Sequence, residues 1–183
     1  GVLNDASAVE ALADAFRGDA EAWVREAAAQ SLAKIGGPAA TEALAQALRG
    51  ELGESHCAQW CRERSAEFLG AIGDARAVEA LVDALRDYAD ETETVRSRAA
   101  WSLRCVGRGA ATAAREALLD ALVWDDDEFV RMHAAESLGC FGGVKVERAL
   151  AAALLQDRDL RPRMAAAQSL GLVGGTAAVQ ALA

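Results

Sequence analysis

Two histidines and four cysteines are the residues best suited to chemistry in this 183-residue chain, and their spacing decides what they can do. His133 and Glu136 stand three apart, which puts both on one helix face within touching distance. That pair alone falls short of a metal's ligand set. His56, Cys57 and Cys61 lie close in sequence, but zinc takes four ligands, usually in paired spacings, and no clear fourth is present. Cys105 and Cys140 hold matching places in neighbouring stretches. Helices pack about 8–10 Å apart, somewhat beyond the Cα reach of a disulfide, so the two read as surface thiols, with capture of an electrophile as the alternative. The run Asp125-Asp126-Asp127-Glu128 could hold a cation, although such runs favour helix N-termini through the dipole. No Gly-rich phosphate loop follows a strand, and no nucleophile–base pair stands out. The expectation is no catalytic residue, no metal and no cofactor.

These residues sit on a repeat. The phrase VREAAAQSLAKIG from Val24 returns as CRERSAEFLGAIG from Cys61, VRSRAAWSLRCVG from Val95, VRMHAAESLGCFG from Val130 and PRMAAAQSLGLVG from Pro162. Each copy has an Arg, small residues three and four later, Leu at seven, an apolar residue at ten and Gly at eleven. Such periodicity means stacked units, none of which buries its apolar face alone. Cys61 holds the buried Val position, where a thiol packs as a small apolar group. Between the phrases runs an amphipathic pattern anchored on Leu12, Leu44, Leu81, Leu118 and Leu150, with a sixth beginning at Thr176 and containing Leu182. We call this helix A and the Arg-bearing phrase helix B.

Helix ends are also legible. Gly36-Gly37, Gly73, Gly107, Gly142-Gly143 and Gly174-Gly175 follow the B helices, as glycine does where φ turns positive. Asp125 with Glu128 reads as a capping box for the fourth helix B, and Pro38 and Pro162 suit first turns. Trp124, ending a helix A, reads as core or loop packing. The repeats span residues 5–37, 38–74, 75–109, 110–143 and 144–175, with a half repeat at 176–183. The second and third have extra residues between helix A and helix B, and such insertions gather on one edge of a solenoid, often the binding edge. Six residues before each repeat Arg stand Asp19, His56, Asp90, Asp125 and Asp157. Arg25, Arg96, Arg131 and Arg163 can therefore tie repeats together, because a guanidinium fork bridges carboxylates and loop carbonyls.

Apolar residues make up 52% of the chain and are mostly Ala and Leu, which favours helix. The net charge of −9 argues against nucleic acid, which needs clustered Lys and Arg. No stretch reaches the roughly 18 apolar residues of a membrane span, and no signal peptide is evident. With unframed cysteines this points to a reduced, cytoplasmic setting.

With these motifs in view, the chain resembles the HEAT-like repeats of the phycobilisome-lyase type, also called E–Z repeats. The VRxxAAxSLGxIG core, the Asp–Arg spacing and the helix A leucines carry the resemblance. It implies an all-α, right-handed α-solenoid of about five HEAT-like helical hairpins plus a terminal half repeat, a single domain over 1–183, with helix B lining the concave face. Such repeats serve in adaptors, bilin lyases and metal hydroxylases alike. The resemblance adds one check on His133: deoxyhypusine hydroxylase, similar in fold, holds iron through repeated adjacent His-Glu pairs, whereas here Ala134 follows His133 and no second pair exists.

The variable helix B positions then matter most. Counted from the Arg, position −2 holds Trp23, Trp60, Thr94, Phe129 and Arg161. Positions +1 and +2 include Arg64, Arg98, Met132, His133 and Met164, and +5 includes Trp101. Exposed aromatics with Arg and Met are the composition of interface hot spots. A second reading is that Trp23, Trp60 and Phe129 tuck against neighbouring helices and cap the core, and one ring can do both. The expected function is a non-catalytic protein-interaction scaffold binding a peptide or protein partner through Trp23, Trp60, Arg64, Arg98, Trp101, Phe129, Met132, His133, Arg161 and Met164. The alternative is a bilin-lyase-like or tetrapyrrole-binding protein, with Arg64, Arg98 and Arg161 on the propionates.

Overall fold

A computed structural model describes residues 2–50, 58–87, 93–105 and 111–174. Among them every regular element is helical. The A helices are α1 (Val2–Gly18), α3 (Gly37–Leu48), α5 (Ala75–Arg86), α7 (Ala111–Trp124) and α9 (Val144–Gln156). The B helices are α2 (Ala22–Ile35), α4 (Ala58–Ile72), α6 (Glu93–Ser102), α8 (Glu128–Leu138) and α10 (Leu160–Val173). Each B helix packs on the next, each A helix packs on the next, and each A helix packs on the B helix that follows it. The result is an all-α solenoid of two helical layers.

The leucines of the repeat lie between those layers. Leu44, Leu81, Leu118 and Leu150 from the A layer are fully buried, as are Leu32, Leu69, Leu103 and Leu138 from the B layer. Each contributes about 1.5–3 kcal/mol by leaving water. Small residues set the spacing of the B helices. A Cβ on Gly70 would lie 2.7 Å from Ser102 Cβ, and one on Gly139 would lie 2.9 Å from Ser169 Oγ. Ser137 uses the same close approach to donate its hydroxyl to the Ala100 carbonyl at 2.8 Å. In the third repeat Arg104 takes the register place of these glycines. There α6 stops at Ser102, the chain tightens into a 3₁₀ turn over Leu103–Cys105, and the Arg104 guanidinium lies 4.2 Å from the centre of the Trp101 ring.

Gly36 and Gly174 show why glycine ends these helices. Both have positive φ (61° and 55°), and their N–H groups close onto Leu32 and Leu170 carbonyls at 2.9 and 3.1 Å. Gly107 and Gly175 lie outside the described residues, as do Thr176 and Leu182. Pro38 and Pro162 occupy first turns, of α3 and α10. The expected capping box is corrected: the cap of α8 is Asp127, whose carboxylate accepts from Phe129 N at 2.9 Å and Val130 N at 3.0 Å. Asp125 is two residues too early to cap, and its carboxylate is buried for another purpose.

Candidate partner-binding site

That purpose is the arginine ladder that holds the B helices in register. Arg96 donates to Asp125 through Nε at 3.0 Å and Nη2 at 3.2 Å. One repeat on, Arg131 donates to Asp157 through Nε at 2.9 Å and Nη2 at 3.2 Å, and to Asp159 at 2.5 Å. Nη1 of the same arginine points back into its own repeat and bonds the Asp125 and Asp126 carbonyls at 2.8 and 2.9 Å. Burial works to lower the Arg131 pKa and is the largest single influence, but Asp157 and Asp159 together hold it above its ordinary value. Arg96 and Arg131 thus reach the same way, each to the Asp of the repeat that follows. Where that Asp is replaced by His56, which lies outside the described residues with Cys57 and Asp90, Arg25 stacks 5.2 Å above Trp60, and its buried Nε has no hydrogen-bond partner.

With that face fixed, the variable positions of α4, α6 and α8 frame a groove of about 330 Å³. Glu63 of α4, Glu93, Thr94, Ser97, Arg98 and Trp101 of α6, and Phe129 and His133 of α8 line it. Its rim is tied by Gln59, which donates to Glu63 at 3.1 Å and Thr94 at 3.2 Å. His133 Nδ1 meets Glu136 Oε2 at 3.0 Å. Phe129 is 40% exposed, and Arg161 of the next helix lies 4.8 Å from its ring centre. Arg98 is exposed, and no carboxylate among the described residues pairs with it. An unpaired guanidinium beside two aromatic walls can hold a carboxylate while an apolar group settles on the rings.

The structure therefore gathers Arg98, Trp101, Phe129 and His133 of the expected residues and distributes the others. Trp60 is half-buried, its ring 6.2 Å from that of Phe16. Arg64 is committed to Glu26 and Glu67, at 2.5 Å each, and lies over Phe68. Arg64 in turn sets the acidity of Glu26. Burial, the largest single influence, pushes that carboxyl up, but hydrogen bonds from Arg64 and Gln30 and the Arg64 charge bring it below the usual value. Met132 is half-buried against the core. Trp23, 85% exposed, stands on the first helix B, while Arg161 and Met164 are exposed on the last.

One surface residue was misread from sequence. Trp124 is not packed in the core or a loop but 75% exposed, beside a second cleft lined by Asp126, Gln156 and Arg158 among others. The corresponding places in the other repeats hold Gly18, Gly50, Asp87 and Gln156, so its singularity was the available signal. Cys61 is buried, its thiol 3.6 Å from the Phe16 carbonyl, and Cys140 is an exposed free thiol. Among the described residues no three His, Cys, Asp or Glu side chains are grouped to hold a metal ion, and no helix is long and apolar enough to cross a membrane.

Comparison with known proteins places this geometry. The family described as HEAT repeats matches residues 1–55 and 115–183, and the PBS lyase HEAT-like repeat matches residues 62–87. No curated protein matches the sequence. Among solved structures, the complex of CpcE and CpcF of phycocyanin lyase from Nostoc sp. PCC7120 is similar at 22% identity and TM-score 0.68, over 89% of this chain and 98% of that one. Human deoxyhypusine hydroxylase in complex with glycerol is similar at 19% identity and TM-score 0.50, over 100% of this chain and 90% of that one. An engineered protein is similar at 23% identity and TM-score 0.57, over 94% of this chain and 84% of that one. At these identities the likeness is one of fold.

Proposed function

We propose, from the premise that this chain belongs to the HEAT repeats, that it is a non-catalytic interaction module whose helix B groove takes a peptide segment of a protein partner. The observation that carries the reading is Arg98, an exposed cation flanked by Trp101 and Phe129 and unpaired among the described residues. A matching segment presents an acidic side chain to Arg98 and an apolar side chain to the two rings. Few residues dominate such interfaces, and aromatics and Arg are foremost among them.

Selection from a displayed library of random short peptides tests this. Enriched sequences should pair an acidic residue with a nearby aromatic or aliphatic one. Their binding should fall about 30-fold or more in Arg98→Ala and in Trp101→Ala, the loss typical of a hot spot. It should be unchanged in Trp124→Ala, which lies outside the groove. Peptides that bind Arg98→Ala and Trp101→Ala as well as the parent would overturn the proposal.

The PBS lyase HEAT-like match and the likeness to a phycocyanin lyase support a second reading, in which the groove holds a linear tetrapyrrole with a propionate on Arg98. Titration with a linear tetrapyrrole separates the two. A visible-absorbance change abolished by Arg98→Ala would favour the pigment, and no change at micromolar pigment would remove it.

A further inference from the structure

Arg25 holds a ladder place without a ladder partner. It is 7% exposed, as deeply set as Arg96 at 8% and Arg131 at 4%. Its Nη1 donates to the Asp19 and Ala20 carbonyls at 2.7 and 3.1 Å, as Arg131 Nη1 does to those of Asp125 and Asp126. The guanidinium is therefore anchored on its own repeat in the same way. In Arg96 and Arg131 the other edge, Nε with Nη2, donates to both oxygens of an Asp carboxylate in the following repeat. On Arg25 that edge meets no carboxylate among the described residues, and its Nε is buried without an acceptor. Trp60 takes the face of the guanidinium, its ring centre 5.2 Å away, and leaves the in-plane edge unmatched.

Register accounts for the difference. The place of Asp125 and Asp157 belongs in the second repeat to His56. An imidazole has at most one acceptor nitrogen and, once protonated, none, so it is no substitute for a carboxylate on a two-pronged donor. A guanidinium is always charged, and burying it unpaired weighs on the fold until an anion meets it. The group that matches the edge is planar and anionic, with two oxygens set to accept parallel N–H bonds, which describes a carboxylate. Burial limits its size. An arginine only 7% exposed between two repeats is reached by a small molecule rather than by a side chain projecting from a folded partner.

We propose that the interface between the first and second repeats binds a small carboxylic acid in its ionised form. The Nε–Nη2 edge of Arg25 holds it in the place that Asp125 and Asp157 fill further along the ladder. The site is separate from the helix B groove, whose lining includes neither Arg25 nor Trp60. A ligand that binds only the folded chain stabilises it, so occupancy can be read as a shift in Tm.

Thermal melts in sodium acetate, against sodium chloride of equal ionic strength near neutral pH, test the proposal. Acetate should raise the wild-type Tm along a saturating curve, by about 5–10 °C at about a hundred times its dissociation constant. Arg25→Met, which keeps an apolar stem for Trp60 and loses the fork, should melt alike in the two salts. His56→Asp supplies the carboxylate from the chain itself. It should raise Tm in chloride and remove the acetate increment, and it keeps the test decisive should Arg25→Met fold poorly. Arg98→Ala should respond as the wild type does, which places the response at Arg25 rather than in the groove. Wild-type melts that are equal in acetate and chloride overturn the proposal. That is also the result expected if Glu51 or Glu54, both outside the described residues, supplies the carboxylate. An acetate increment that persists in Arg25→Met or His56→Asp, or that is lost in Arg98→Ala, overturns it as well.

Discussion

Removing Asp125 tests whether the ladder holds the repeats together. Its side chain is fully buried and accepts both donors of the Arg96 fork and the Asp127 N–H. Asp125→Ala leaves the Arg96 guanidinium, itself only 10% exposed, with its charge uncompensated by this partner. Breaking a buried pair from one side costs about 3–5 kcal/mol. A domain of this size loses about 2–4 °C of Tm per kcal/mol, so the midpoint should fall by about 6–20 °C. Because stability in a repeat array sums units and interfaces, weakening the third–fourth interface should also broaden or split the transition. Asp120→Ala is the control, since the Arg86–Asp120 pair is 3.4 Å apart with both side chains about half exposed. Such a pair is worth about 0–1 kcal/mol, and its loss should move Tm by less than about 4 °C. Thermal melts followed by circular dichroism read both. A shift for Asp125→Ala no larger than that for Asp120→Ala would refute the claim that the ladder is a structural tie.

Three further outcomes follow from the packing. Gly70→Ala should destabilise by about 1–3 kcal/mol, because its Cβ would meet Ser102, whereas Gly171→Ala, with nothing within 4 Å, should gain up to about 1 kcal/mol in helix propensity; chemical denaturation measures both. Glu26 titrates below its usual value in the folded chain, so its contribution is full above the ordinary glutamate value near 4.5 and is lost as pH falls through the lowered one. Glu26→Gln should therefore cost a fraction of a kcal/mol at neutral pH, and that difference from wild type should shrink as pH falls below the ordinary glutamate value in acid unfolding curves. Arg104→Gly should change stability by less than about 1 kcal/mol yet weaken groove peptides several-fold, since it frees the Trp101 ring; calorimetric titration beside a thermal melt checks whether the two effects separate.

The core was legible because its constraints repeat. One Leu per A helix, one Leu and two small residues per B helix, and a Gly after each turn are demanded by the same packing five times over. The direction of the ladder was not legible, because an Arg six residues after an Asp is equally spaced for its own turn and for the next repeat's. The structure shows it uses both, main-chain carbonyls on one side and a carboxylate on the other. The capping error has the same origin: Asp125, Asp126 and Asp127 are alike as letters, and only the burial of the first separates tie from cap. Single departures were harder still. Nothing in the spacing says that Trp60 substitutes a π face for the missing Asp, or that Trp124 points to water, because no other repeat offers a precedent for either.

Those departures are also where the groove comes from. A strictly repeated B helix places Gly or Ala eight residues after its Arg and lets the next helix close in. The third repeat puts Arg104 there, and α6 yields its last turn to a 3₁₀ geometry. The guanidinium that cannot enter the close contact turns to the Trp101 ring, covering one side of it at the groove wall. Six residues earlier, Arg98 projects from the same helix with no carboxylate among the described residues to hold it, although Arg64 one repeat before has two. Arg64 pairs with Glu26 on α2 and with Glu67 on its own helix, whereas in the third repeat Trp101 stands at the place of Glu67, and Glu63, at the place of Glu26, accepts from Gln59 instead. Among the described residues the groove thus coincides with two departures of the third repeat, Arg104 at a place the other repeats give to Gly or Ala and Trp101 at the place of Glu67.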